Sequence, residues 1–332
     1  MTALVTGATG FIGSAVARAL LKRGEIVRVL ARVGGDRRNL EGLDVEIIEG
    51  DLRDAAAREA ATRKITSLYH VAADYRLWVP DPAAMYATNV DATTDLLRRA
   101  AEGGASRLVY TSSVATLGIP TDGSLATEDT PISLSDMVGP YKRSKFMAEE
   151  AVHALVRDEK LPVVITNPTA PVGPRDVKPT PTGRTVVEAA AGRIPAFVDT
   201  GLNLVHVDDV AQGHLLAHDK GVIGERYILG GENLSLQQIL QRIAALTGGK
   251  AATIKLPHGA ILPIAYLAEF WAKIFRTSEP FVTVDGLKLA KKRMFFTHAK
   301  AVRDLGYTAR PVDEALLDAI VWFRAHGMLP KR

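Results

Sequence analysis

Thr2-Ala3-Leu4-Val5-Thr6 runs straight into Gly7-Ala8-Thr9-Gly10-Phe11-Ile12-Gly13, and from Phe11 to Arg23 the apolar residues recur at helical spacing. A buried strand, a glycine turn and an amphipathic helix, in that order, open an α/β sheet. Gly7 permits the tight turn, Gly10 lets the backbone approach a ligand, and Gly13 lets the helix pack closely on the strand. The free amides at the positive end of the helix then face whatever sits over the turn. This predicts a pyrophosphate site made by Gly7, Thr9, Gly10, Phe11, Ile12 and Gly13. Glycine content alone would fit an ordinary strand–helix turn.

Working outward, short apolar β-rich runs alternate with helical patterns. The strands are expected at Thr2–Thr6, Ile26–Ala31, Val45–Glu49, Ser67–Val71, Arg107–Thr111 and Pro162–Thr166, and Asn89–Glu102 reads as a second helix. Near-continuous apolar strands suit a parallel sheet covered on both faces. The fold class is therefore α/β, a Rossmann-type doubly wound parallel sheet. After Thr166 the prolines 168, 171, 174, 179 and 181 break regular structure. Val205–His218 and Arg226–Leu229 read as a return to the sheet, and the rest as a smaller, mostly helical substrate lobe. The expected division is residues 1–167 with about 203–230 for the dinucleotide, and about 168–202 with 231–332 for the substrate.

The 332 residues suit about two domains. With 47% hydrophobic and 23% charged residues, neither disorder nor a fibrous repeat is expected. Cysteine is absent, which excludes disulfides, thiolate metal sites and a thiol nucleophile. The net charge of +4 comes from 41 basic and 37 acidic residues spread along the chain, so a small-molecule partner is expected and nucleic acid is not. No targeting pattern precedes the first strand, and a cytoplasmic location is expected. Ala260–Phe275, interrupted by Glu269 and Lys273, is too short to span a membrane. It reads as a lobe helix or, at most, a peripheral membrane contact.

The end of the second strand bears on the choice of dinucleotide. An NAD site usually places Asp or Glu there for the ribose hydroxyls, whereas this chain has Arg32 in Ala31-Arg32-Val33-Gly34-Gly35-Asp36-Arg37-Arg38. A guanidinium can bind a 2′-phosphate that a carboxylate would repel, so the expected cofactor is NADP, with NAD the alternative. Arg37 and Arg38 either join that pocket or belong to a solvated loop. Asp51 and Leu52, after the third strand, either meet the adenine edge or, for Asp51, cap a helix.

Tyr141-Lys142-Arg143-Ser144-Lys145 opens a helix running to about Arg157, with Tyr141 and Lys145 four apart on one face. A nearby ammonium and the positive charge of an oxidised nicotinamide are expected to lower the phenol's pKa, so that Tyr141 exchanges a proton with a carbonyl or alcohol while hydride moves. Lys145 would also hold the nicotinamide ribose. Leu108-Val109-Tyr110-Thr111-Ser112-Ser113 brings a serine to the same sheet edge. Composition leaves Ser112 and Ser113 equally able to orient the reacting oxygen.

TGATGFIG, Thr111-Ser112-Ser113 and YKRSK together resemble the extended short-chain dehydrogenase/reductase superfamily. The resemblance runs through His70-Val71-Ala72-Ala73, Asn89-Val90, Asn167-Pro168, His206-Val207-Asp208-Asp209 and Leu305-Gly306-Tyr307. It implies Ser113 as the catalytic serine, five residues before Gly118, with Tyr141 and Lys145. It further implies Ala72, Ala73, Thr111 and Pro168 beside the nicotinamide, Asn89 as a brace, and a homodimer through the helices at about Asn89–Glu102 and Tyr141–Arg157. The strings 70–78 and 199–207 are similar to the hopanoid-associated sugar epimerases, and the set is similar to dihydroflavonol reductases.

Nucleotide-sugar epimerases usually carry Arg-Asp-Phe where this chain has Asn203-Leu204-Val205, and an epimerase regenerates its cofactor each turn. Arg32 points instead to net reduction of a carbonyl, on a substrate that carries a sugar-like or polyol chain or is related to hopanoids. The alternatives are a sugar epimerase or dehydratase and a non-catalytic NADP(H)-binding sensor. His206, Asp208, Asp209, His214 and His218 lack the glutamate of a zincin motif, so no metal is expected. Lys291-Lys292-Arg293 reads as a solvated face.

Overall fold

The computed structural model describes residues 1–76, 79, 81–257, 259, 263 and 291–330. The expectations for Leu77, Trp78 and, residue 263 apart, the 260–275 stretch lie outside the described residues. The main layer is a seven-stranded, wholly parallel sheet in the order β10-β6-β5-β4-β1-β2-β3. Its strands are β1 (Thr2–Thr6), β2 (Ile26–Ala31), β3 (Val45–Glu49), β4 (Ser67–His70), β5 (Arg107–Thr111), β6 (Val163–Pro168) and the later β10 (Arg226–Leu229).

Alternation along these strands decides which helix covers which face. Leu4, Leu30, Leu68, Leu108, Tyr110, Val163 and Ile165 pack with α2 (Ala55–Thr62), α4 (Ala92–Glu102) and α5 (Gly139–Glu159). A short α3 (Ala83–Tyr86) and a π-helical turn over Ala87–Asp91 lead into α4. The residues between, Ala3, Val5, Val27, Val29, Tyr69 and Val109, pack on the opposite face with α1 (Phe11–Lys22) and α7 (Val207–Lys220). Both faces are apolar because both are covered. The order reverses between β1 and β4, and ligands of such sheets bind at that reversal, beyond the carboxyl ends of the strands.

Beyond β6 the chain holds α6 (Pro181–Ala190), α8 (Leu236–Thr247), α9 (Ala299–Leu305) and α10 (Val312–Ala325), as well as more strand than the helical pattern suggested. A second sheet joins β11 (Glu232–Ser235), β9 (Gly201–His206) and β13 (Arg293–Met294), with β7 (Ala170–Val172) also paired to β9. A two-stranded sheet joins β8 (Ala196–Val198) and β12 (Ile254–Leu256). Val205 and His206 therefore end a strand of the second sheet and do not return to the main one. Only Arg226–Leu229 does so, as the edge strand β10. The strand pairs of β9 are too short and too mixed in polarity to show a two-residue period in the sequence.

Candidate active site

The three glycines of the first turn answer to different constraints. Gly7 has φ +72°, and a Cβ there would lie 2.7 Å from the Ala72 amide nitrogen. A Cβ on Gly13 would lie 2.2 Å from the Gly7 carbonyl oxygen, so close packing of α1 on the turn requires glycine. Gly10 differs, because its Cβ would meet only that same oxygen, at 3.2 Å. Protein packing barely explains the missing side chain, whereas a ligand pressed against the turn would. Gly10 caps α1 without a side-chain hydrogen bond, and no acidic residue stands in the first turn. Asn39 Nδ2 instead steadies the turn from below, donating to the carbonyls of Thr9 (3.2 Å) and Gly10 (3.3 Å). Phe11 and Ile12 stay partly buried. The uncapped amides and the bare Gly10 fit a pyrophosphate.

At the end of β2 the arginines separate. Arg37 pairs with Glu49, Arg38 with Asp36 at 2.6 Å, and Arg53 with Asp51 at 2.9 Å. Arg32 is exposed and its guanidinium makes no hydrogen bond or ion pair among the described residues, although it lowers the pKa of Asp51 and Asp74 through space. Of the three arginines suggested for the phosphate pocket, only Arg32 is uncommitted. Asp51 does not cap the next helix. Asp54 does, accepting from the Ala56 amide at 3.0 Å, while Asp51 is tied to Arg53 and Leu52 is buried under α2.

Lys145 is buried in the middle of the site. Its Nζ donates to Tyr110 Oη at 3.0 Å and to the Thr111 carbonyl at 2.8 Å, and lies 4.6 Å from the Tyr110 ring centre. An ammonium has three donors, so one remains for a ligand. Burial, partly offset by the Glu149 carboxylate, lowers the pKa of Lys145 to about 8. At Tyr141 the ammonium part of the expectation finds no support. The tyrosine's pKa is raised, because burial of the phenol end outweighs hydrogen bonding from Ser113. The ammonium that was to lower it is engaged by Tyr110 and Thr111. In this state Tyr141 is a protonated donor. Ser113 Oγ accepts from the Ala115 amide at 3.1 Å, which leaves its own proton to donate. Ser112 Oγ is buried toward the Tyr110 phenol, whereas Ser113 is the serine that meets Tyr141.

The surrounding groups are held by neutral histidines. Thr6 Oγ1 accepts from the Ala72 amide at 3.2 Å and shares a hydrogen bond with His70 Nδ1, 2.7 Å away. His70 Nε2 pairs with Thr93 Oγ1 at 2.8 Å, so that one ring nitrogen donates and the other accepts. His214 Nδ1 donates to the Val210 carbonyl at 2.7 Å, while Nε2 accepts from Thr111 Oγ1 (2.8 Å) and Thr166 Oγ1 (3.1 Å). Burial lowers these imidazoles to about 3 and about 4. Thr111 thus turns its hydroxyl to α7 and only its carbonyl to Lys145. Asn89, in the π-helical turn, clamps the loop after β4. It accepts from the Asp74 amide at 2.8 Å and donates to the Asp74 carbonyl and to Ser144 Oγ, both at 2.9 Å. Ala72 and Ala73 continue β4 over the same edge, and Pro168 ends β6 opposite Leu229.

The residues weighed as metal ligands are dispersed. His206 caps α7, Asp208 pairs with Arg175, Asp209 pairs with Arg310 at 2.7 Å, and His218 bonds Asp219 at 2.8 Å. Sequence reasoning missed Tyr110, which seats Lys145, and Glu149, buried four residues beyond it. A charged residue in register with Tyr141 and Lys145 on one helix face was the available signal.

Comparison with known proteins gives consistent results. A sequence model of the NAD dependent epimerase/dehydratase family matches residues 3–230. A protein of Synechocystis sp. that bears the name dihydroflavonol 4-reductase is 41% identical over 329 residues, covering 97% of this chain and 94% of its own. Sterol demethylase protein B of Methylococcus capsulatus is 36% identical over 330 residues, covering 99% of this chain and 100% of that protein. A crystal structure of gox2253 matches with a TM-score of 0.89 at 49% identity, covering 99% of each chain.

Proposed function

We propose that this chain, which belongs to the NAD dependent epimerase/dehydratase family and is an NAD(P)-dependent enzyme, is an NADP(H)-dependent reductase of a small-molecule carbonyl. The glycine turn and the α1 amides would hold the pyrophosphate, and Arg32 the 2′-phosphate. Ala72, Ala73 and Pro168 would flank the nicotinamide, and Asp51 and Leu52 the adenine. When bound, the nicotinamide supplies or accepts the hydride. Ser113 donates a hydrogen bond to the substrate oxygen, and Tyr141 gives that oxygen its proton as the carbonyl becomes an alcohol. The remaining donor of Lys145 holds the ribose and steadies the phenolate left behind.

The observation that carries this reading is the buried Tyr141 phenol, hydrogen-bonded by Ser113, four residues before Lys145 on one helix, whose ammonium reaches the Thr111 carbonyl at the end of β5. A polar anchor for a sugar nucleotide finds no support at Asn203. Its Nδ2 donates to Gly231 O (3.2 Å), Asn233 Oδ1 (2.8 Å) and Phe296 O (3.3 Å), and its Oδ1 accepts from the Gly231 amide at 2.8 Å. The side chain serves the second sheet, which favours reduction over epimerisation.

Fluorescence titration with NADPH and NADH tests the cofactor. A panel holding a dihydroflavonol, a steroid ketone and a polyol ketone then tests reduction. Tyr141→Phe should bind NADPH as the wild type does and lose hydride transfer by at least ~100-fold. Equal transfer by wild type and variant would reject the assignment, and NADPH binding without turnover of any carbonyl would favour a sensor.

A further inference from the structure

Glu149 is 2% exposed on α5, one turn beyond Lys145 and two turns beyond Tyr141. Its Oε1 accepts from Arg226 of β10 at 2.8 Å. Its Oε2 accepts from Asn167 Nδ2 at 3.0 Å and from Thr116 Oγ1 at 2.9 Å. Both of those groups also reach the Ser113 carbonyl, Asn167 at 3.1 Å and Thr116 at 2.7 Å. The Asn167 amide is surrounded by three acceptors, which fixes its orientation and leaves its Oδ1 without a donor. A carboxylate is costly to bury, and apolar packing alone would not demand one here.

We propose that Glu149 is a positioning residue for the reaction, anchoring the Ser113 backbone through Asn167 and Thr116 and serving as the electrostatic counterweight to Lys145. It touches neither substrate nor cofactor and acts through those two residues. The inference rests on the reading above for the role of Lys145. The charged and titratable groups around Lys145 are Glu149 and Tyr141 from α5, Tyr110 from β5 and His70 from β4. His70 is neutral above about pH 3, and the phenols are protonated, so Glu149 is the charge that keeps Lys145 cationic. Arg226 and, at 3.9 Å, His153 face Glu149 itself.

The test follows Lys145 by NMR in the whole chain labelled with [6-13C]lysine, the signal being assigned by its loss in Lys145→Arg. In the wild type it should titrate near pH 8. In Glu149→Gln the midpoint should fall by about one pH unit, as expected when an opposite charge is removed from a buried pair rather than an exposed one. In Arg226→Gln, which leaves the carboxylate less neutralised, it should rise. A fold-wide disturbance would not move the two in opposite directions, and if Glu149→Gln does not fold, Arg226→Gln alone decides the sign. Unmoved midpoints, or movement in one direction for both, would overturn the proposal. NADPH affinity measured across the same pH range should break at the same midpoints. If the lysine signal shifts and the affinity does not, the role of Lys145 toward the cofactor fails while its coupling to Glu149 stands.

Discussion

Replacing Gly10 and Gly13 separately by alanine should divide binding from stability, two properties that a single glycine motif is usually made to share. At Gly13 the new methyl would lie 2.2 Å from the Gly7 oxygen, 2.5 Å from its carbon and 2.9 Å from the Ala8 nitrogen. All three are backbone atoms, so no rotamer change relieves the clash, and α1 must move off the turn by about 1 Å. Overpacking of that kind costs about 2–4 kcal/mol. With an unfolding entropy of roughly 0.7 kcal/mol per kelvin for a chain of 332 residues, Tm should fall by about 3–6 °C. At Gly10 the backbone is extended, with φ −91°, and one contact at 3.2 Å has to relax, so Tm should stay within about 2 °C. The same methyl stands where the pyrophosphate should approach, and NADPH affinity should fall by at least about tenfold, near 1.4 kcal/mol. Differential scanning fluorimetry reads the first quantity and NADPH fluorescence the second. A Gly10→Ala protein that binds NADPH within twofold of the wild type would refute the ligand's approach to this turn. A Gly13→Ala protein as stable as Gly10→Ala would refute the packing argument.

Arg32→Asp should weaken NADPH by about 10- to 100-fold and leave NADH nearly unchanged, since a charge-assisted phosphate contact is worth about 1.5–3 kcal/mol. Arg37→Ala, whose guanidinium already pairs with Glu49, should do much less, and an equal loss in both would reject the special role of Arg32. The rate of reduction should fall as pH rises through about 8, where Lys145 loses its proton, and not through the higher pKa of Tyr141. In Lys145→Arg that limb should vanish from the pH profile, and its persistence near 8 would assign it elsewhere. His70 and His214, held at about 3 and about 4, bind protons in the unfolded chain below about 6.5 and stay neutral when folded. Folding stability is therefore lost as pH falls from about 6.5, by roughly 1.4 kcal/mol per pH unit for each, while Asp176, raised to about 6, works the other way. Urea melts between pH 7 and 4.5 should show His214→Gln less sensitive to acid than the wild type by about one proton, and an unchanged slope would contradict a neutral, buried His214.

The main sheet was legible because a parallel strand covered on both faces is largely apolar, and Thr2–Thr6, Ile26–Ala31 and Arg107–Thr111 end where the apolar runs end, while the exposed edge strand Val45–Glu49 showed itself by its β-branched residues. The two smaller sheets were not. Ala170–Val172, Ala196–Val198 and Arg293–Met294 are two or three residues long, and they become strands only because β9 and β12 lie beside them. Partners distant in sequence leave no local period to read. Within the site, residue types and spacing marked Tyr141, Lys145 and the Ser112–Ser113 pair, but spacing carries no information about what else competes for a charge. It could not reveal that Arg37 and Arg38 are already paired, or that Tyr110 and Thr111 occupy two donors of Lys145.

That competition takes the ammonium out of the tyrosine argument. Two groups four apart on a helix suggest an ammonium acidifying a phenol, yet acidification requires the charge to face the phenol without intervening partners. Here desolvation acts on both groups at once, raising Tyr141 and lowering Lys145, and each shift favours the neutral form. A neutral phenol with its proton in place can deliver it to a developing alkoxide without first being recharged from solvent. Glu149, by keeping the lysine cationic against burial, supplies the positive charge needed once the proton has gone. In the proposed reduction that charge is the one the phenolate would meet, with the carboxylate two turns along the helix from the phenol bearing the electrostatic cost.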